Sequence, residues 1–170
     1  RNKKIKMIEI GIGTMEEGQS SMKYHWNNLN DSKKKNYKTG NSLRIWKKYF
    51  KNIDFILGID IKKDCMFEEC KIKTELLDST KDNNSILIKN KYGNNFDIIL
   101  DDGLHTIEGQ IKTFKNFWPL LKKNGIYLIE DIGNPELLKR ELKKYTNKYI
   151  HIKECNIKIS GDSYIIKIFK

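Results

Sequence analysis

Cysteine is scarce in this sequence. There are three, Cys65, Cys70 and Cys155, and no C-x-x-C pair. An odd number without that spacing suggests neither a disulfide framework nor a zinc site. Free thiols in a reducing, cytoplasmic setting are the simple reading. Long apolar runs are missing too. None approaches the roughly 20 residues that cross a bilayer, so no membrane partner is expected, and no signal-peptide pattern opens the chain. The first residue is Arg1, a few positions ahead of a strand pattern, as expected of a domain excised from a longer protein. Acids fall short of bases, leaving a net charge of +11. That balance invites a nucleic-acid partner. The lysines, however, come mostly as scattered pairs such as Lys47-Lys48 and Lys122-Lys123, with one run at Lys33-Lys34-Lys35. Dispersed pairs read as solvated helix faces, so nucleic acid stays the second reading. With 170 residues and no internal repeat, the chain suits one domain over 1–170.

The richest stretch is Phe96-Asp97-Ile98-Ile99-Leu100-Asp101-Asp102-Gly103-Leu104-His105. Its first half is an apolar, β-branched run of the kind buried in a parallel sheet. Its second half breaks into two acids, a glycine and a histidine. In open α/β sheets ligands bind just past the carboxyl ends of the strands. A simpler reading has Asp102 or Thr106 capping the next helix, but it leaves the second acid and the histidine without a purpose.

The rest of the chain alternates strand and helix. Residues 4–10 read as a strand that ends in Glu9-Ile10-Gly11-Ile12-Gly13-Thr14. The dinucleotide fingerprint needs a third glycine at 16, where Glu16 stands, which argues against NAD or FAD. Residues 15–39 are polar, with Met22, Tyr24, His25 and Trp26 embedded in them. A segment of that length is functional or disordered, and the expectation is a lid or substrate-facing insertion. A helix follows at 40–50, capped by Asn41 or Ser42, then a strand at 53–61 carrying Gly58-Ile59-Asp60. Gly13 and Asp60 are 47 positions apart, and 22 once the 25 residues of the insertion are set aside. That is near the roughly 20-residue spacing at which an acid ending the second strand binds ribose hydroxyls. A short strand at 71–77 leads to Asp78-Ser79-Thr80. A weak helix covers 80–91, and a longer one 107–121 ends at Lys123-Asn124-Gly125 with a left-handed cap signal. A strand at 126–129 stops at Glu130-Asp131. Pro135 opens a helix to about 145. Segments 149–156 and 163–169 alternate as a closing antiparallel pair.

Four strand ends thus carry polar groups on one edge: Gly11/Gly13, Asp60, Asp101/Asp102/His105 and Glu130/Asp131. These residues resemble the class I S-adenosylmethionine-dependent methyltransferases. E-I-G-I-G-T, G-N-S-L-R-I-W, G-I-D, D-D-G-L-H and I-E-D-I are similar to motifs of the metal-dependent sugar O-methyltransferases of macrolide deoxysugars. D-D-G-x-H followed by E-D at the next strand end is the most specific pairing. The resemblance implies a Rossmann-like fold with a mostly parallel sheet, helices on both faces and the antiparallel pair. It implies S-adenosyl-L-methionine as cofactor. Glu9, Gly11, Gly13 and Ser42 would surround its amino acid part, Asp60 its ribose, and Asp78 and Ser79 its adenine, with Asp101 in the same set. Asp102, Glu130 and Asp131 would hold Mg²⁺ or Mn²⁺, and His105 would be the general base, with Asp102 as its catalytic partner. The acceptor would be a sugar, a glycan end or a nucleotide sugar. Leu104 stands where such proteins more often have a small residue such as serine. The competing readings are an RNA ribose O-methyltransferase and a nucleoside-binding module without catalysis. Chemistry favours the first reading, since a sugar hydroxyl needs its proton removed and a hard cation beside an imidazole can do that.

Overall fold

The computed structural model describes residues 4–16, 38–155 and 164–170. The expected insertion at 15–39 therefore lies, from 17 to 37, outside the described residues. The described elements are β1 (Ile5–Ile10), α1 (Asn41–Tyr49), β2 (Ile53–Asp60), a 3₁₀ turn (Lys63–Cys65), β3 (Glu68–Glu69), β4 (Ile72–Leu76), α2 (Asn84–Tyr92), β5 (Phe96–Asp101), α3 (Ile107–Phe117), a second 3₁₀ turn (Trp118–Leu120), β6 (Leu121–Ile129), α4 (Pro135–Leu142), β7 (Ile150–Glu154) and β8 (Tyr164–Phe169).

All eight strands join one sheet in the order β3-β4-β2-β1-β5-β6-β8-β7. β4, β2, β1, β5 and β6 run parallel, and β8 and β7 close the sheet antiparallel. The order reverses between β1 and β5, the point at which such sheets open a ligand crevice. The parallel strands read as apolar runs because both faces are covered. On one face Ile8, Leu57 and Ile99 pack with Ile88 of α2, Phe114 and Phe117 of α3, and Leu138 and Leu142 of α4. On the other, Met7 and Ile56 pack with Leu43 of α1. Helices therefore lie on both faces, as the alternating pattern implies.

Several boundaries differ from the sequence reading, each for a local reason. α1 is entered through Gly40 in the left-handed region, with no side-chain cap. Ser42 spends its hydroxyl elsewhere. α3 stops at Phe117 and not at 121, because Pro119 lacks the N–H that would continue the ladder and the chain tightens into a 3₁₀ turn. β6 accordingly starts at Leu121. Asn124 is left-handed, at φ 63, but it sits inside β6, where the pairing with β5 shifts register between Phe96 and Ile98. It bulges a strand instead of ending a helix. Two expected starts hold. Thr106 caps α3 by accepting from the Gly109 N–H, and Asn134 with Pro135 opens α4. With Thr106 in the capping role, Asp102 is left to the crevice.

Candidate active site

The crevice is built from the backbone outward. Its centre is where β1 and β5 end side by side. Gly11 has φ +80, and a Cβ on it would lie 2.0 Å from the carbonyl oxygen of Asp102. Only glycine allows that approach. The sheet ladder runs on past the strands: Gly11 N–H donates to Ile59 O at 2.8 Å, Asp102 N–H to Ile10 O at 2.9 Å, and Glu130 N–H to Asp101 O at 3.0 Å. From α3, buried Gln110 donates to Glu130 O at 3.1 Å. The loops bearing the polar groups are therefore fixed by main-chain bonds on several sides.

These loops surround a cleft of about 720 Å³ lined by Gly11, Gly13, Asp60, Asp78, Ser79, Asp102, His105 and Asp131, among others. That volume falls in the range of small-molecule sites. Asp60 accepts from the N–H groups of Ile12 and Lys62, each at 3.0 Å. Asp78 accepts at one oxygen from the N–H and hydroxyl of Thr80, at 2.9 and 2.6 Å. Ser79 is buried, and its hydroxyl is 2.9 Å from that of Thr113 on α3, so its side chain ties the loop down. Two exposed apolar side chains also line the cleft: Leu104, the departure noted in the sequence, 53% exposed, and Ile61, which the sequence reading missed, 63% exposed. A Cβ on Gly109 would meet the Leu104 side chain at 2.7 Å, so a glycine in α3 makes room for Leu104 to lie down. Ile61 could have been found from its place directly after Asp60.

Glu9, Ser42, Asp101 and Glu130 are not among the lining residues. Glu9 is buried behind the β1 loop, where it accepts from the Ser42 hydroxyl and from the Trp46 indole N–H, the latter at 2.6 Å. Burial pushes its carboxyl up to about 7 against those two donors, with Asp102 and Glu130 adding repulsion. Asp101 is also buried, and burial raises it to about 8. Among the described residues its Oδ2 has no hydrogen-bond partner.

At the other end of the cleft, Asp102, His105 and Asp131 each offer a ligand atom within 4.8 Å of the others. Asp102 Oδ1 lies 3.2 Å from His105 Nε2, and Asp131 Oδ2 lies 3.7 Å from His105 Nδ1. Asp131 reaches this position from the left-handed region, at φ 50, which aspartate tolerates better than most residues. Glu130 is outside that group of three, yet it feels it. Burial first, then the charges of Asp102 and Asp131, raise it to about 7, with His105 pulling the other way. The hydrogen bond that His105 donates to the Asp102 carboxylate is the largest cause holding its imidazole up at about 9. Two carboxylates on one imidazole, with Glu130 raised by their charge, are a hard-oxygen donor set short of positive charge, and they fit a divalent cation.

No family model matches the chain. It superposes on the MycE methyltransferase of the mycinamycin biosynthetic pathway, solved in complex with Mg, SAH and mycinamycin VI. The TM-score is 0.66 at 24% identity, covering 99% of this chain and 45% of that one. The chain has the class I methyltransferase fold. In sequence it is 31% identical over 132 residues to demethylmacrocin O-methyltransferase of Streptomyces fradiae, which is 78% of this chain and 28% of that protein. It is 31% identical over 133 residues to mycinamicin VI 2''-O-methyltransferase of Micromonospora griseorubida, with the same coverage of 78% and 28%. The chain thus matches less than a third of the length of these curated relatives. The cleft lies at the switch point between β1 and β5, lined by eight of the expected residues, Gly11, Gly13, Asp60, Asp78, Ser79, Asp102, His105 and Asp131.

Proposed function

We propose that this chain is the catalytic domain of an S-adenosyl-L-methionine-dependent O-methyltransferase that methylates a sugar hydroxyl with the help of a divalent cation. The observation that carries the reading is the convergence of Asp102, His105 and Asp131 within 4.8 Å on the cleft that Gly11, Gly13 and Asp60 also line. The names of the relatives, O-methyltransferases of demethylmacrocin, of mycinamicin VI and of a rhamnosyl tetracenomycin, support it. In this reading Gly11 and Gly13 let the donor's amino acid part approach the backbone, and Glu9 fixes Ser42 beneath it. Asp60 accepts from the ribose hydroxyls. Adenine lies along Asp78 and Ser79, with Ile61 and Leu104 giving apolar contact. Asp101 supports that floor from behind.

Asp102, Glu130 and Asp131 would hold Mg²⁺ or Mn²⁺. When bound, such a cation lowers the pKa of an acceptor hydroxyl and fixes its position. Asp102 engaged that way would no longer hold the imidazole charged, and neutral His105 would accept the hydroxyl proton at a ring nitrogen. General-base help of this kind is worth about 10²–10⁴ in rate. Alignment of the oxygen with the donor's methyl group supplies much of the remainder. The insertion at 15–39 is read as a cover or acceptor-facing element. Free Cys65, Cys70 and Cys155 support a reducing, cytoplasmic setting. Among the described residues no helix is long and apolar enough to cross a membrane.

The test is methyl transfer from labelled donor to a panel of deoxysugars, glycosides and nucleotide sugars, with and without chelator. Transfer to a sugar that stops in chelator and returns with Mg²⁺ is the expected result. Transfer that ignores chelator would remove the cation, and transfer to RNA alone would replace the acceptor class.

A further inference from the structure

The segment after β2 is tied, bond by bond, to the loop after β1. Asp60 takes the Ile12 N–H at 3.0 Å. One turn further on, Asp64 sits in the 3₁₀ turn Lys63–Cys65 and uses both carboxylate oxygens on the same loop. The Thr14 hydroxyl donates to Oδ1 at 2.6 Å and the Met15 N–H to Oδ2 at 2.8 Å. Thr14 Oγ in turn accepts from the Glu16 N–H at 3.0 Å, and Lys62 Nζ reaches Glu16 Oε2, also at 3.0 Å. Thr14 lines the cleft next to Gly13, while Asp64 stands outside it. Burial nudges the Asp64 carboxyl upward, but the Thr14 and Met15 donors prevail and hold it below its ordinary range. It therefore stays ionised, as the stronger acceptor, through the neutral range.

A loop containing Gly11 and Gly13, both at positive φ, has more conformations to lose than most. Fixing one residue's backbone costs about 1–2 kcal/mol, and a ligand that must order such a loop binds correspondingly less tightly. We propose that Asp64 is a positioning residue for the methyl donor: it fixes Thr14 and Met15 before the donor arrives and so keeps the glycine loop in its binding shape. The inference rests on the donor-binding reading above. It adds a residue that touches no ligand and that no motif marks.

The experiment measures the product analogue S-adenosylhomocysteine by titration calorimetry against wild type, Asp64→Ala, Asp64→Asn, Thr14→Val and the Asp64→Ala/Thr14→Val double variant. Hydrogen exchange of the peptide spanning 11–16 in the ligand-free protein is the second readout. Asp64→Ala is expected to weaken binding about tenfold, the equivalent of ordering roughly one more backbone residue, and to speed exchange in 11–16. Melting temperature and Mn²⁺ affinity at the acidic cluster should stay at wild-type values, which a general loss of structure would not allow. Asp64→Asn keeps an acceptor for the Met15 N–H and should recover part of the affinity. The double variant should be no weaker than the weaker single one, because the two residues act as a unit. Wild-type affinity in Asp64→Ala, or unchanged exchange in 11–16, would overturn the proposal. Wild type that fails to bind the analogue sinks the donor reading and the cofactor role of Asp64 with it, whereas binding that is insensitive to Asp64 sinks the role of Asp64 alone.

Discussion

At the ends of β1 and β2, acids meet donors. Glu9 receives a hydroxyl and an indole N–H, Asp60 receives two backbone N–H groups, and Asp64 receives a hydroxyl and a backbone N–H. At the ends of β5 and β6, acids meet acids. Asp101 is buried with one oxygen lacking a partner among the described residues, and Glu130 is raised to about 7 by burial and by the charges of Asp102 and Asp131. His105 is the cation that the described geometry places between Asp102 and Asp131. The two halves share one edge and one cleft but solve different problems. The first half is preorganised for a ligand that reads fixed hydrogen-bond geometry. The second stores repulsion that a divalent ion would relieve, since like charges within a few ångströms disfavour ionisation.

The comparison can be broken where it is sharpest. His105→Ala should lower turnover about 10²–10⁴-fold, the usual worth of a general base, while leaving S-adenosylhomocysteine affinity at wild type by calorimetry. Equal turnover would take the base role away from it. Asp102→Asn should cost at least about 10²-fold in turnover, because even outer-shell changes around a metal cost 10–100-fold. It should also weaken Mn²⁺ binding followed by electron paramagnetic resonance, and unchanged Mn²⁺ affinity would show that the acids repel one another for no ion's sake.

Glu9 sharpens the contrast from the donor side, because burial outweighs even its two donors. Its carboxyl ionises near 4.5 as a free group and near 7 in the fold. Between those values the folded state keeps a proton that the unfolded chain has released. The associated stability is whole below about 4.5 and is lost as pH rises through about 7. Relative to Glu9→Gln, wild type should lose up to about 3 kcal/mol between pH 5 and pH 8 in urea denaturation. Parallel profiles would mean that Glu9 is better solvated than its burial indicates. The smallest effect is expected at Asp60→Ala, about a tenfold loss of S-adenosylhomocysteine affinity for one hydrogen-bonded carboxylate, with Mn²⁺ binding unaltered. A loss of Mn²⁺ binding there would show that the two halves are coupled and not separate.

Much of this was legible in the chain. The apolar runs of β1, β2 and β5, the glycine pair after β1, and the acids at 60, 101–102 and 130–131 follow from period and turn chemistry, which act over a few residues. Thr106 and Pro135 announced their helices for the same reason. The reading failed where distant parts compete. Ser42 reads as a cap until buried Glu9 claims its hydroxyl. Asn124 reads as the end of a helix until Pro119 stops that helix earlier and the pairing of β5 with β6 absorbs the extra residues. Asp64 carries no signal of its own, because it matters only where Thr14 lies across from it, and Leu104 stood out as a departure from the motif while the room that Gly109 gives it did not.

By itself, then, the sequence determined the alternation of strand and helix and the set of residues at the carboxyl ends of the strands. Both are local consequences of side-chain period and backbone preference. Only the tertiary structure decided which of those residues meet: Asp102 and Asp131 flanking His105, with Glu130 outside that trio, and Asp64 gripping the loop of another strand. Such meetings depend on strand order and register, which are fixed by packing over separations of 25 to 50 residues that no local pattern encodes.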